Sequence, residues 1–153
     1  MINFFPAPLD PEQLRRLLVH PGAGGVSIFE GRVRNSHKGK SVRFLEYEAF
    51  ETMAVHEMEG ILREARDRFE VLEIECFHRT GRVDLGQVAV WIGVSAVHRT
   101  PAFYACAFLI DAIKHRLPIW KKEWYEDGES IWVDCHDESP VQAFPGRSWR
   151  RGL

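Results

Sequence analysis

Residues 88–123, VAVWIGVSAVHRTPAFYACAFLIDAIKHRLPIWKKE, contain the strand and the helix from which the rest of the fold is read. Residues 88–97 are apolar almost throughout, a pattern that predicts a strand buried on both faces. That strand delivers His98 and Arg99 to its end. Thr100 and Pro101 form an N-cap and first-position pair. Residues 102–117 then continue as a largely buried helix with Phe103, Cys106, Ile110, Ile113 and Leu117 on one stripe. Pro118 stops it, because the residue before a proline is pushed out of helical geometry. The following turn, LPIW (117–120), is stiffened by its proline and anchored by Trp120 and Trp124, and it sets Lys121 and Lys122 against the end of the helix.

VLEIECFHR (71–79) reads as another strand, joined to the central one by the connector TGRVDLGQ (80–87). Upstream, Ala54, Met58, Ile61, Leu62, Ala65 and Phe69 recur at helical spacing with charges between them, which predicts an amphipathic helix from about 50 to 69. VSIFEGRVR (26–34) and SVRFLEYEA (41–49) are β-rich runs separated by the polar loop NSHKGK. Asp10, Pro11 and Glu12 start a first helix, which PGAGG (21–25) ends. SIWVDC (130–135) is a last short strand. The order is helix, two strands, helix, two strands, helix, strand. It predicts an α+β fold, a mixed or antiparallel sheet with packed helices, in one domain over 1–140 with a tail at 141–153.

A formal charge of −2 gives no general attraction for nucleic acid or an anionic membrane, so any basic site must be local. The N-terminus is broken by Pro6, Pro8 and Pro11 and has no basic region before its apolar residues. It is read as neither signal peptide nor membrane span, and the cytoplasm is the expected compartment. Cys76, Cys106 and Cys135 are widely spaced and form no CxxC pair, so reduced, buried thiols are expected. HExxH, zinc-ligand spacing and GxSxG are missing from the sequence, and no catalytic metal is expected.

The positive charge at 114–122 needs its own account. Lys114, His115 and Arg116 at a helix C-terminus interact favourably with the macrodipole, worth about 0.3–1 kcal/mol each. That leaves Lys121 and Lys122, beyond the turn, unexplained. Two lysines held in place make an anion site or a pair for nucleophilic and proton-transfer chemistry. His98 and Arg99 read equally as the polar end of a buried strand or as ligand contacts at a strand end. Arg32 and Arg34 share a strand face and by themselves read as a solvated one.

FEGRVRN (29–35), HRTG (78–81), SAVHRTPAF (95–103) and DAIKHRLPIWKKE (111–123) together resemble the catalytic large subunit of molybdopterin synthase, the MoaE family, in order and spacing over nearly the whole chain. The resemblance implies an α/β-hammerhead fold and a sulfurtransferase. That enzyme adds two sulfurs, as a dithiolene, to cyclic pyranopterin monophosphate during molybdenum cofactor biosynthesis. It needs no cofactor, because a small ubiquitin-like carrier subunit (MoaD type) brings sulfur as a thiocarboxylate on its C-terminal Gly-Gly tail. The large chains pair as a homodimer, giving a heterotetramer with two carriers.

By the same resemblance Lys114 and Lys121 are the catalytic lysines, Lys114 beside the incoming tail and Lys121 in the pterin pocket. The substrate-binding segments are Arg32, Val33 and Arg34, then His98 and Arg99, then Lys114, and finally Lys121, Lys122 and Glu123. His136 stands at about the place of a family arginine that reaches across the dimer. Both ligands are anions, so the pocket needs fixed cations, and arginine offers forked donors to phosphate oxygens. The competing class is a non-catalytic module gripping a partner's tail. RNA binding is disfavoured, since no strand interleaves aromatic and basic residues in the manner of an RNA-binding sheet.

Overall fold

The computed structural model describes residues 1–133. Strand β1 (Ile2–Phe5) leads to helix α1 (Pro11–Arg15), which tightens into a 3-10 turn at Arg16–Leu18. Asp10 caps α1 as its sequence position predicts, accepting from the backbone N–H of Glu12 at 3.0 Å. Strand β2 (Gly25–Arg32) follows, then the hairpin of β3 (Ser36–His37) and β4 (Lys40–Ala49). Lys38 and Gly39, at φ 49° and 79°, make its turn. Helix α2 (Glu51–Arg68), strands β5 (Val71–Arg79), β6 (Gly81–Asp84) and β7 (Val88–Ala96), helix α3 (Arg99–Arg116), and strands β8 (Ile119–Tyr125) and β9 (Ser130–Val133) complete the described chain. The class is α+β, as the order of elements predicts.

The strands form two sheets. One has the order β1-β5-β7-β2, with β1 parallel to β5 and the other pairs antiparallel. The other has the order β3-β4-β8-β9, with β6 also paired to β4. β7 is buried at all nine positions, which its unbroken apolar character requires. On one face of its sheet, α2 and α3 bury Met58, Ile61, Leu109 and Ile113 against Ile2, Cys76, Ile92 and Val94. On the other, Leu18 from the 3-10 turn covers Phe77 and Trp91. A separate cluster of Val33, Val42, Leu45, Val83, Ala89 and Tyr125 joins the second sheet to the first.

The passage between sheets depends on Gly31. The register of β2 against β7 shifts between Gly31 and Arg32, a bulge that turns the chain out of the first sheet. A Cβ on Gly31 would lie 2.5 Å from Val90 Cγ1, so only glycine permits this approach.

Several local readings change in three dimensions. The proline-interrupted N-terminus supplies a strand, because Ile2–Phe5 has the free edge of β5 to pair with. The connector at 80–87 contains β6, which pairs with β4. The turn expected at LPIW is the start of β8, which runs along β4 from Ala49 to Val42. α3 begins at Arg99, with His98 as an N-cap that makes no side-chain bond, rather than at the Thr100–Pro101 pair. Gly25 packs against the backbone of His98 and Arg99 there and sets the chain's direction. Phe103 is 56% exposed, because α3 turns Ala102, Ala105, Cys106, Leu109, Ala112 and Ile113 inward. Small alanines let the helix approach the sheet where a phenylalanine would hold it off. Cys135, His136 and the tail at 141–153 lie outside the described residues.

His78, at the end of β5, is sealed beside Phe4 and under the edge of Tyr47, with its Nδ1 2.7 Å from the carbonyl oxygen of Arg79. Burial lowers its pKa from 6.5 to about 4, against the raising effect of that hydrogen bond. The unfolded chain therefore takes up a proton that the native chain refuses between these values. Stability due to His78 is complete above pH 6.5 and is lost as pH falls towards 4, by about 3 kcal/mol. Urea unfolding followed from pH 7 to 4 should show this slope in the wild type and a flatter one in His78→Gln.

Candidate active site

A cavity of about 730 Å³ opens where the two sheets meet the C-terminal end of α3. Arg32 and Arg34 reach it from the end of β2, His37 from β3, Lys114 from α3, and Lys121 and Glu123 from β8. Residues scattered over 90 positions of sequence thus line one space.

The basic run at 114–116 divides there, because successive helical residues point about 100° apart. Arg116 turns to α2 and donates to Glu57 and Glu64, each at 2.8 Å. His115 brings its Nδ1 to 2.8 Å from the Asp111 carbonyl and lines a different, largely apolar hollow with Trp120 and Trp132. Lys114 alone of the three enters the cavity. The pleat of β8 makes the same kind of division. Lys121 and Glu123 face the cavity, while Lys122 lies on the other face, 4.6 Å from the Trp124 ring and 5.5 Å from that of Trp132.

Glu123 is the buried anion of the site, its side chain 3% exposed. The Tyr125 hydroxyl donates to it at 2.6 Å, and His37 Nδ1 lies 2.8 Å from both of its oxygens. Lys121 Nζ stands 3.7 Å from Oε1. Burial by itself pushes the Glu123 carboxyl up, but the hydrogen bonds from Tyr125 and His37 and the charge of Lys121 outweigh it and hold the group below the ordinary range. Tyr125 is pushed up to about 12, first by its bond to Glu123 and then by burial, so it remains a donor. At the cavity's other side Arg32 is joined to Glu30 at 2.6 Å and donates to the Gly86 carbonyl at 3.1 Å. Arg34 is exposed.

Five of the residues expected at a site line this cavity: Arg32, Arg34, Lys114, Lys121 and Glu123. Val33 is in the core between the sheets, its N–H donating to Gln87 and its carbonyl accepting from Gly86, and it fixes the arginines on either side. Lys122 faces away. His98 and Arg99 are exposed at the opposite end of α3, fifteen residues from Lys114 or about 22 Å along the axis. His37 and Tyr125 were not anticipated. Between two β-rich runs NSHKGK reads as a long hairpin connection, but nothing local marks His37 as a partner of Glu123. Among the described residues no group of three His, Cys, Asp or Glu side chains could hold a metal.

The model of the MoaE protein family matches residues 5–116. The chain belongs to the MoaE family. It is 39% identical over 137 residues to the molybdopterin synthase catalytic subunit of Pyrococcus abyssi, covering 90% of this chain and 92% of that one. The human protein of the same name is 39% identical over 132 residues, 86% of this chain and 70% of its own. Among solved structures, molybdopterin synthase from Staphylococcus aureus superposes with a TM-score of 0.80 at 35% identity, over 86% of this chain and 95% of that one. A complex of two molybdopterin-converting factor subunits from Helicobacter pylori, 21% identical with a TM-score of 0.72, shares the fold over 86% of this chain and 89% of its own.

Neither described thiol of this MoaE chain lines the cavity. Burial pushes Cys76 up to about 12 and also raises Cys106, against opposing hydrogen bonds from Ser27 and Phe29. Iodoacetamide at neutral pH should therefore leave both unmodified in the native protein and alkylate both in urea, as read by peptide mass spectrometry. Rapid native labelling of either would contradict their placement.

Proposed function

We propose that this protein is the catalytic subunit of a molybdopterin synthase. In this reading it moves sulfur from the C-terminal thiocarboxylate of a small ubiquitin-like carrier to cyclic pyranopterin monophosphate and so forms the dithiolene. The observation that carries the reading is the convergence of Lys114 and Lys121 on one cavity whose rim holds Arg32 and Arg34. A cyclic phosphate and a thiocarboxylate are both anions, and this cavity offers cations of two kinds. Arginine forks suit phosphate oxygens, whereas a lysine amine is compact and able to exchange protons. The chemistry needs both, since sulfur must leave an acyl carbon while protons move as C–S bonds form on the pterin.

The partner is the carrier, whose tail must reach the cavity with its thiocarboxylate exposed. A second copy of this chain is the other partner. His98 and Arg99, stranded on one protomer at the far end of α3, become substrate contacts if homodimerisation presents them to the neighbouring cavity. No separate cofactor is required, because the carrier supplies the sulfur. The free, buried thiols at Cys76 and Cys106 suit a reducing compartment, and we place the reaction in the cytoplasm.

Mixing the purified chain with thiocarboxylated carrier and the pterin precursor should yield dithiolene product. A scaffold without chemistry would bind the carrier and leave the precursor unsulfurated. Lys114→Ala and Lys121→Ala should fold and bind carrier yet lose turnover by about 10²- to 10⁴-fold. Arginine at either position should not restore it, because guanidinium stays protonated. Arginine variants with near wild-type turnover would reduce the lysines to anion binders. Arg34→Ala should chiefly weaken precursor binding, by about 1.5–3 kcal/mol, as a lost charge-assisted contact does.

A further inference from the structure

A buried carboxylate is out of place in a cavity meant for anions. Glu123 would repel a phosphate or thiocarboxylate and would be costly to bury alone. Each of its contacts accounts for part of that charge. Tyr125, two residues along the same strand face, donates to Oε2 at 2.6 Å. His37 comes from the β3–β4 hairpin, 86 residues away in sequence, and its Nδ1 is 2.8 Å from both oxygens. Since the partner is a carboxylate that can only accept, Nδ1 carries the proton. Lys121 Nζ, on a side chain 13% exposed, is the remaining neighbour, 3.7 Å from Oε1.

We infer that His37 and Tyr125 are positioning residues for the sulfur-transfer reaction, clamping the Glu123 carboxylate so that it holds the Lys121 amine in place within the cavity. The inference rests on the function proposed above and concerns residues to which that reading gives no role. Two donors from different strands fix both the plane and the position of the carboxylate, and a planar group fixed in this way presents one oxygen to Lys121. A lysine on four rotatable bonds otherwise samples many positions, and reaction rates depend steeply on such placement. The clamp also absorbs charge: its donors satisfy the Glu123 carboxylate, which lines the cavity beside Lys121.

The His37 side chain is not needed to form the hairpin. The backbone of β3 pairs with β4 at Ser36–Ser41 and His37–Lys40, and Lys40 ties the hairpin to Asp127 and Glu129. Variants at His37 should therefore keep the fold, which the urea midpoint checks. The test compares His37→Ala, His37→Asn and Tyr125→Phe in the complex with carrier. His37→Ala and Tyr125→Phe should lower kcat by about ten- to a hundredfold with the KM for precursor within about twofold of wild type. His37→Asn, whose amide N–H substitutes for Nδ1–H, should recover most of the loss. Unchanged kcat in His37→Ala and Tyr125→Phe, a rise in KM alone, or an asparagine variant no better than alanine would overturn the inference.

A second measurement does not depend on turnover. The NMR order parameter of Lys121 Cε in the isolated protein should fall in both His37→Ala and Tyr125→Phe. If it does not move in either, the clamp is refuted whatever the sulfur assay shows. A wild-type protein that makes no dithiolene would instead overturn the parent reading.

Discussion

Strand β8 runs antiparallel to β4 from the pair Ala49–Ile119 to the pair Val42–Tyr125, and the site depends on this ladder. Pro118 ends α3, and its carbonyl accepts from the N–H of Phe50 at 3.1 Å, which sends the chain back along β4 at once. Lys121 thereby returns to the level of Lys114 within seven residues. Had the chain left α3 in any other direction, the two lysines would share a sequence neighbourhood and no cavity. The ladder also seats Glu123 and Tyr125 beneath the hairpin that carries His37, and the polar group beside Lys121 is assembled in the same step.

Charge in this protein is divided by geometry. Five basic residues between 114 and 122 would form a diffuse positive surface if they all faced water, but the helix and the strand distribute them. Arg116 binds α3 to α2 through Glu57 and Glu64, and Lys122 rests on tryptophan rings. Lys114 and Lys121 line the cavity. Exposed pairs such as Arg116 with Glu57 add little stability, whereas a charge lining a cavity acts in a lower dielectric, where its attraction for an anion is stronger. A net charge of −2 is therefore compatible with a locally cationic site.

The two sheets have different duties. The first, sealed by helices on one face and the 3-10 turn on the other, is a core in which β7 meets no water. The second, with five strands, joins the first through an apolar cluster and carries His37 on β3 and Lys121 and Glu123 on β8. The bulge at Gly31 belongs to both: it shifts the pairing of β2 with β7 one residue before that strand ends, and the chain goes on to β3 with Arg32 and Arg34 lining the cavity.

Elements whose patterns are local can be read from the chain alone. β7 is legible from an unbroken apolar run, α2 from its 3.6-residue period, the start of α1 from Asp10 and Pro11, and the end of α3 from Pro118. The quoted motifs, resembling one family, also point to Lys114, Lys121, Arg32, Arg34 and Glu123. Tertiary structure alone decided the rest. β1 and β6 are short, and they are strands because β5 and β4 offer them edges, which no window of sequence records. The face of α3 was decided by how closely alanines approach the sheet, and the division of Lys121 from Lys122 by a pleat that the proline-turn reading did not foresee. His37 lies 86 residues from Glu123, and a hydrogen bond between them exists only once β3, β4 and β8 are side by side. Local periodicity follows from the chemistry of neighbouring residues, whereas pairing across sheets depends on which edges remain free when the core closes.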